Sequence, residues 1–215
     1  MQHFEYIFFD LDGTIFNSEA GISKSVKYAL SKFGIDENDE NKLKAFIGPP
    51  LKDSFMKYYG FSEQQARDAI KFYREYYSVK GIFEGHIYNN VEKILAYINE
   101  KGKKAVLATS KPKFFAEQII EHLGLTKYFD FISGATLDET VTGKYEVIKI
   151  AIDEEKIDDL SSILMVGDRL HDVEGAKKAG IKCVGVLYGF GSESELREAG
   201  ADHIISDAFE LADII

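Results

Sequence analysis

The sequence of 215 residues contains a single cysteine, Cys183, and no long apolar run. One cysteine cannot form an internal disulfide, which excludes a disulfide-stabilised secreted scaffold and favours a reducing compartment. The first residues, MQHFEYIFFDLDG, do not show the basic segment and apolar stretch of a secretory leader. Crossing a bilayer takes roughly 20 consecutive apolar residues, which the chain lacks. We therefore expect a cytoplasmic protein that does not contact a membrane.

The sequence also lacks an excess of basic residues. Its 26 Lys and Arg stand against 36 Asp and Glu, giving a net charge of −10. Such a chain repels nucleic-acid backbones and anionic membrane surfaces, so we expect no nucleic-acid polymer as a partner. A small anionic substrate can still bind if a local cation, such as a divalent metal, outweighs the negative electrostatic potential of the protein at the binding site. The length and the 45% hydrophobic content fit one α/β domain, or a core with a smaller insert.

Short apolar runs that we interpret as buried strands alternate with amphipathic stretches that we interpret as helices. The runs are Tyr6–Phe9, Ala105–Ala108, Ile163–Val166, Cys183–Leu187 and Ile204–Ile205. The helical stretches are Val91–Lys101, Lys113–Leu123, Tyr145–Asp153 and Val173–Ala179. This alternation predicts an α/β fold with a Rossmann-like core, in which helices cover a parallel sheet.

One segment, from Phe16 to Phe83, departs from this alternation because it contains only helical patterns. These patterns are Glu19–Phe33, Glu40–Phe46, Leu51–Tyr59 and Ser62–Tyr77. Four consecutive helices are too many for one crossover between strands. We predict a smaller helical domain, residues 16–83, inserted after the first strand into a core of residues 1–15 and 84–215. The alternative is that these helices simply cover one face of the sheet.

Two carboxylates, Asp10 and Asp12, directly follow the first predicted strand. Ligands of parallel α/β sheets bind beyond the carboxyl ends of the strands. Successive strand side chains alternate faces, so Asp10 and Asp12 can point the same way. Two carboxylates this close repel each other unless a cation binds them or one takes a proton. A solvated turn would explain one of these residues, whereas the pair indicates a functional site.

Other polar residues occupy corresponding places along the chain. Thr109 and Ser110 follow the second run, where hydroxyls and the N–H groups of a helix start suit an oxyanion; an ordinary helix cap is the alternative. Lys144 opens a predicted helix, where a positive charge opposes the helix dipole, although most single lysines lie on the surface. Asp168 and Asp172 follow Ile163–Val166, and Asp172 could act only as a cap.

These residues would meet at one edge of the sheet. Asp10, Asp12 and Asp168 together make an oxygen-rich site of the kind that suits Mg²⁺. The pattern, with Asp10-Leu11-Asp12-Gly13-Thr14 behind an apolar strand, then Thr109, Lys144 and Gly167-Asp168 with Asp172, resembles the haloacid dehalogenase superfamily. It is most similar to phosphatases of that superfamily that carry a helical cap of the C1 type.

The resemblance implies a mechanism for phosphate monoester hydrolysis. Asp10 would be the nucleophile and would form an aspartyl-phosphate. Asp12 would protonate the leaving oxygen and then deprotonate the hydrolytic water. Thr109 would hydrogen-bond the phosphoryl group, and Lys144 would balance the charge on Asp10 and the phosphate. Members that are dehalogenases lack an acid at the position of Asp12, so that residue favours an oxygen leaving group.

The resemblance also implies a metal site. Asp10, Asp168 and the backbone carbonyl of Asp12 would hold Mg²⁺, and Asp172 would support the metal directly or through water. In the cap, Gly48-Pro49-Pro50-Leu51 resembles the substrate-facing loop of phosphoglycolate phosphatases.

The substrate is the least determined part of this interpretation. Lys52 could reach a substrate anion and Asn17 could lie at the cavity mouth, although a solvated lysine at a helix start explains Lys52 better. We expect an enzyme similar to phosphoglycolate phosphatases that acts on a small phosphorylated metabolite, as a monomer or homodimer. The alternatives are a 5′-nucleotidase, a phosphomutase similar to β-phosphoglucomutase, and a signalling module that only accepts a phosphoryl group.

Overall fold

The computed structural model describes residues 3–138 and 140–215, which divide into two compact units. The first unit combines the chain up to Phe16 with Ile87–Ile215, and the second is Asn17–His86. The sequence placed the insert at 16–83, so the unit found here begins one residue later and ends three residues later. Both units are built from the predicted types of element.

The first unit contains a six-stranded sheet with the order β5-β4-β1-β6-β7-β8, in which all paired strands are parallel. Its strands are β1 (Tyr6–Phe9), β4 (Lys104–Pro112), β5 (Phe131–Ala135), β6 (Ile163–Gly167), β7 (Lys182–Val186) and β8 (His203–Ile205). Two further short strands, β2 (Phe16–Asn17) and β3 (His86–Ile87), pair with each other. The α/β parallel-sheet core is therefore confirmed.

Among the described residues of this unit, five α-helices accompany the sheet. They are α5 (Val91–Glu100), α6 (Lys113–His122), α7 (Lys144–Glu154), α8 (Leu170–Ala179) and α9 (Glu193–Ala199). One buried cluster joins Phe8 of β1 and Met165 of β6 to Val147 of α7 and Val173 of α8. Because both faces of a parallel sheet are covered, its strands are continuous apolar runs, which is why β1 reads YIFF.

Four of the five apolar runs lie within strands, and Cys183–Leu187 extends one residue past the end of β7, whereas β5 and α9 were not predicted from the sequence. In β5, Ser133 and Gly134 interrupt the apolar pattern. Ser133 is nevertheless buried, and its hydroxyl donates to the carbonyl of Val147 at 2.7 Å. A hydrogen bond thus compensates a polar side chain that conceals the strand in the sequence.

The second unit contains the four predicted helices. They are α1 (Glu19–Ser31), α2 (Glu40–Lys44), α3 (Leu51–Tyr59) and α4 (Glu63–Tyr77). A reciprocal capping box between Ser62 and Gln65 fixes the start of α4. Tyr73 and Tyr77, one turn apart on α4, are buried with ring centroids 5.1 Å apart. Within the described residues, the helices lack the length and apolar character that crossing a membrane requires.

Candidate active site

Asp10 lies at the carboxyl end of β1, where the chain leaves the sheet. Its N–H donates to the carbonyl of Val166 at 2.9 Å, which extends the strand pairing up to the carboxylate. The turn that follows depends on Gly13, whose φ of +87° favours glycine. A Cβ at Gly13 would also overlap the carboxylate of Asp168. Gly13 is therefore required both by the turn and by the neighbouring Asp168.

Lys144, the first residue of α7, contacts two of the acids. Its Nζ donates to Asp10 Oδ1 at 2.6 Å and to the carbonyl of Ala108 at 2.9 Å. The same Nζ lies 2.8 Å from Asp172 Oδ1. The side chain is only 4% exposed. Lys144 is thus an internal cation and not a surface residue.

Asp168 and Asp172 approach the same point from β6 and α8. Asp168 is fully buried, and its Oδ2 accepts a 2.7 Å hydrogen bond from the N–H of Phe190. Asp172 Oδ2 accepts from the N–H of Arg169 at 3.0 Å, while its Oδ1 faces Lys144. Asp172 therefore caps the helix and belongs to the acid cluster, so the two interpretations of this residue are compatible.

The carboxylates of Asp10, Asp168 and Asp172 form a compact cluster, with one oxygen from each lying within 4.8 Å of the others. When all three carboxylates are ionised, they carry three negative charges against the single positive charge of Lys144, which leaves two negative charges uncompensated. Oδ1 of Asp168 is buried and has no hydrogen-bond partner within residues 3–138 and 140–215. Oxygen donors with this charge deficit fit a divalent cation such as Mg²⁺.

Ionisation in this cluster departs from ordinary behaviour. Burial, reinforced by the charges of Asp172 and Asp10, raises the pKa of Asp168 well above its usual value. Burial also raises the pKa of Asp172, although Lys144 opposes that change. Burial alone would lower the pKa of Lys144, but the charges of Asp10 and Asp172 outweigh it and raise that pKa. The carboxylates thus favour a bound proton or cation, and the lysine stays charged.

A loop after β7, Gly189-Phe190-Gly191, encloses Asp168. A Cβ at Gly189 would overlap Asp168 and the carbonyl of Gly13, and a Cβ at Gly191 would overlap the carbonyl of Asp168. The sequence analysis did not assign a role to these residues. The sequence did contain one signal, a Gly-x-Gly pattern that follows β7. β7 is the neighbour of β6, and Asp168 directly follows β6.

Asp12 lies apart from the three-acid cluster and has its own cation. Lys111 Nζ lies 2.7 Å from Asp12 Oδ2 and 2.9 Å from Oδ1. Thr109 is buried on β4, and its Oγ1 accepts from the N–H of Lys111 at 3.2 Å. Ser110 follows Thr109 on the same strand. The pair of Lys111 and Asp12 was not predicted from the sequence, because two residues so far apart in the chain give no local signal.

Two predicted substrate residues, Asn17 and Lys52, belong to the second unit. Asn17 Oδ1 accepts from the N–H of Glu19 at 3.1 Å, at the start of α1. Lys52 Nζ lies 3.1 Å from Glu63 Oε1, and both side chains reach solvent. These contacts explain both residues locally, so their role in substrate binding stays a prediction.

The family model described as "Haloacid dehalogenase-like hydrolase" matches residues 7–186 of the chain. This protein belongs to that family. The match includes every residue of the acid cluster as well as Lys111 and Lys144. The resemblance drawn from the motifs is confirmed, and the chain is a haloacid dehalogenase-like enzyme of the phosphatase class.

Several relatives of this haloacid dehalogenase-like hydrolase are named as enzymes that hydrolyse phosphate esters, whereas one from Mycobacterium tuberculosis, 33% identical over 188 residues, is named a tyrosine-protein kinase. The chain is 42% identical over 209 residues to a 5′-nucleotidase of Pseudomonas aeruginosa, covering 97% of this chain and 94% of that protein. It is 25% identical over 223 residues to a phosphoglycolate phosphatase of Vibrio parahaemolyticus, covering 100% and 97%. The crystal structure of a predicted phosphatase from Clostridium acetobutylicum matches with a TM-score of 0.93 and 45% identity, covering 99% and 98%.

Proposed function

We propose that this chain hydrolyses nucleoside 5′-monophosphates in a Mg²⁺-dependent reaction that passes through an aspartyl-phosphate on Asp10. The chemistry rests on one observation, the buried contact of Lys144 with Asp10 inside a three-acid cluster. The substrate class rests on the 42% identity to a 5′-nucleotidase over nearly the whole chain. Because that relative is more similar than the phosphoglycolate phosphatase at 25%, we prefer the nucleotide over phosphoglycolate.

In the first step, a carboxylate oxygen of Asp10 attacks phosphorus and the bond from phosphorus to the 5′ oxygen breaks. Asp12, which enters this step in its protonated form, gives its proton to that oxygen, so the nucleoside leaves as a neutral alcohol and Asp12 becomes a carboxylate paired with Lys111. In the second step, Asp12 takes a proton from water, whose oxygen attacks the same phosphorus. The bond to Asp10 then breaks, which releases inorganic phosphate and restores the Asp10 carboxylate.

Lys144 makes the approach of two anions feasible. A carboxylate nucleophile and a phosphate dianion repel each other, and phosphoryl transfer depends mainly on positioning and charge neutralisation. Lys144 Nζ already lies 2.6 Å from Asp10 Oδ1, and burial strengthens its field. Thr109, buried at the end of the same sheet, would donate its hydroxyl proton to an oxygen of the transferring phosphoryl group.

Asp10, Asp168 and Asp172 would hold Mg²⁺, with the carbonyl of Asp12 as a further ligand. Bound there, Mg²⁺ would supply positive charge to the phosphoryl oxygens. Two uncompensated carboxylate charges and the unpartnered Oδ1 of Asp168 support this assignment. Asn17 and Lys52 of the second unit are our candidates for contacts to the rest of the substrate.

A phosphate-release assay tests the proposal. Purified protein with Mg²⁺ is offered 5′-AMP, 5′-UMP, phosphoglycolate and glucose 6-phosphate, beside Asp10→Asn and a sample with excess EDTA. We expect turnover to be fastest on a 5′-nucleotide and to vanish in both controls. Faster turnover of phosphoglycolate would overturn the substrate assignment alone, whereas an active Asp10→Asn variant would overturn the mechanism.

A further inference from the structure

The partly buried ion pair between Lys111 and Asp12 has no assigned role. The Lys111 side chain is 6% exposed and the Asp12 side chain 15% exposed. Both oxygens of Asp12 lie within hydrogen-bond distance of the same Nζ, at 2.7 and 2.9 Å. Lys144 contacts Asp10 through one oxygen, Oδ1, at 2.6 Å. The two acids at the end of β1 therefore have separate lysines.

A bulge in β4 directs Lys111 toward Asp12. Thr109 pairs with Gly134 of β5, but the next paired residues are Pro112 and Ala135. Two residues of β4, Ser110 and Lys111, thus lie opposite a single step of β5. Bulges bend a strand locally and re-aim its side chains, and they are frequent beside active sites.

Gly134 makes room for this bulge. A Cβ at Gly134 would lie 2.8 Å from the carbonyl oxygen of Lys111 and 2.7 Å from Cα of Lys113. Real Cβ atoms do not approach other atoms so closely, and here the obstacles are backbone atoms that cannot rotate away. The position of Lys111 therefore depends on two strands. β4 contains the bulge, and Gly134 of β5 leaves the space that the bulge occupies.

Lys113, two residues after Lys111, is not buried in the same way, so burial is a property of Lys111 and not of every lysine in this segment. Lys113 is 46% exposed, and its Nζ lies 3.8 Å from Glu117 on the same helix. Burying an ion pair costs desolvation energy that the mutual attraction often does not recover, so such a pair is weak support for a purely stabilising role. Because Lys111 is desolvated without a clear gain in stability and directly contacts Asp12, we look for its role in the function of Asp12.

We propose that Lys111 is a positioning residue, which holds the Asp12 carboxyl group where it meets first the leaving oxygen and then the attacking water. This inference rests on the function proposed above. Lys111 acts through Asp12 and does not itself exchange a proton with the substrate. Two contacts from one Nζ fix both oxygens of Asp12, whereas a single contact would leave the carboxyl group free to turn.

Leaving-group dependence tests this role. Single-turnover release of the alcohol is measured with 5′-AMP, whose leaving oxygen needs a proton, and with p-nitrophenyl phosphate, whose leaving group barely does. General acid–base catalysis contributes about 10²–10⁴-fold, so we expect Lys111→Met to slow 5′-AMP cleavage by about 10–100-fold and nitrophenol release by much less. The matched control, Lys113→Met, should leave both rates unchanged. A purely structural role would slow both substrates equally and would overturn the proposal.

A double-variant cycle with Asp12→Asn supplies a second readout. If Lys111 acts through Asp12, then Lys111→Met should change the single-turnover rate of the Asp12→Asn protein by less than about twofold, because coupled sites are not additive. Independent losses that multiply would contradict the inference. So would a raised KM with unchanged kcat in Lys111→Met, since that result would assign Lys111 to substrate binding.

Two further variants keep the proposal testable if Lys111→Met does not fold. Lys111→Arg retains the charge and should recover part of the 5′-AMP rate. Gly134→Ala displaces the bulge without removing a charge and should show the same leaving-group dependence as Lys111→Met; equal slowing of both substrates would argue against the proposal. An inactive wild-type protein, or an active Asp10→Asn variant, would instead show that the proposed function itself has failed.

Discussion

Nζ of Lys144 lies 2.6 Å from Oδ1 of Asp10, a residue 134 positions earlier in the chain. This contact joins the first residue of α7 to the end of β1 inside the protein. It gives the nucleophile that we propose a permanent counter-ion. With Lys144 as their one positive neighbour, the ionised carboxylates of Asp10, Asp168 and Asp172 keep a net charge of about −2. This negative charge is the physical reason for expecting a divalent metal.

The first prediction concerns the stability of this buried cation. We expect Lys144→Met to abolish turnover and to lower the free energy of unfolding by about 3–5 kcal/mol, because removing one partner leaves buried charges uncompensated. Urea unfolding of the metal-free proteins measures the change. Lys149→Met is the control: Lys149 is on the same helix and forms an exposed pair with Asp153. Its loss should be within about 0.5 kcal/mol of zero, and an equal effect of both variants would contradict the account.

The second prediction concerns Asp168 and pH. Because the folded protein raises the pKa of Asp168, the folded state binds a proton more readily than the unfolded state. Stability of the metal-free protein should therefore fall as pH rises above the ordinary range of a carboxyl group. Asp168→Asn removes the contribution of Asp168 to this dependence, so we expect its metal-free Tm at pH 8 to exceed that of the wild type by about 2–4 °C.

The same variant should lose the stabilisation by Mg²⁺, because one of the three carboxylates is gone. Thermal melts with and without Mg²⁺ measure both effects. Asp158→Asn, at an exposed position, serves as the control and should behave as the wild type. A lower metal-free Tm in Asp168→Asn, together with an intact Mg²⁺ response, would contradict the assignment of Asp168 as a ligand.

The third prediction concerns the loop that encloses Asp168. We expect Gly189→Ala to weaken Mg²⁺ binding at least about tenfold, because its Cβ would overlap Asp168. Isothermal titration with Mg²⁺ measures the change. Gly102→Ala is the control, since its Cβ would meet nothing within 4 Å although its φ of +71° favours glycine. That variant should lose stability but keep its affinity, and unchanged affinity in Gly189→Ala would show that the loop does not set the site.

Much of this fold is readable from the sequence, for a physical reason. Strands of a parallel sheet are buried on both faces, so β1 and β6 appear as unbroken apolar runs that end at Asp10 and near Asp168. The same logic fails for β5, whose Ser133 and Gly134 hide the strand. Gly134 is needed because a Cβ at this position would overlap the backbone of β4. The residue pattern of β5 alone does not reveal this requirement.

The contacts among the site residues were only partly predictable. Lys144 gave a signal, because a lysine in the first turn of a helix opposes the helix dipole. The contact between Lys111 and Asp12 gave none, since it depends on a bulge in β4 and a space in β5. The hydrogen bond from Phe190 to Asp168 was not predicted from the sequence either, because it depends on the sheet order, in which β6 and β7 are neighbours.

The fourth prediction concerns Asp12, whose replacement should separate the two chemical steps. Asp12→Asn keeps Asp10 and the acid cluster but lacks the group that activates water. We expect this variant to bind 5′-AMP nearly as well as the wild type, with turnover abolished. Equilibrium binding and phosphate release measure the two properties. Full turnover in Asp12→Asn would refute the role of Asp12.

The most direct test of the central claim is to locate a phosphoryl group on the protein itself. Asp12→Asn protein with Mg²⁺ and p-nitrophenyl phosphate, whose leaving group needs little help from an acid, is quenched in acid and digested, and its peptides are analysed by mass spectrometry. The account predicts one added phosphoryl group on Asp10, and none when Asp10→Asn is introduced as well. A phosphoryl group on another residue would contradict the account, and so would wild-type turnover with no phosphorylated Asp10 in either protein.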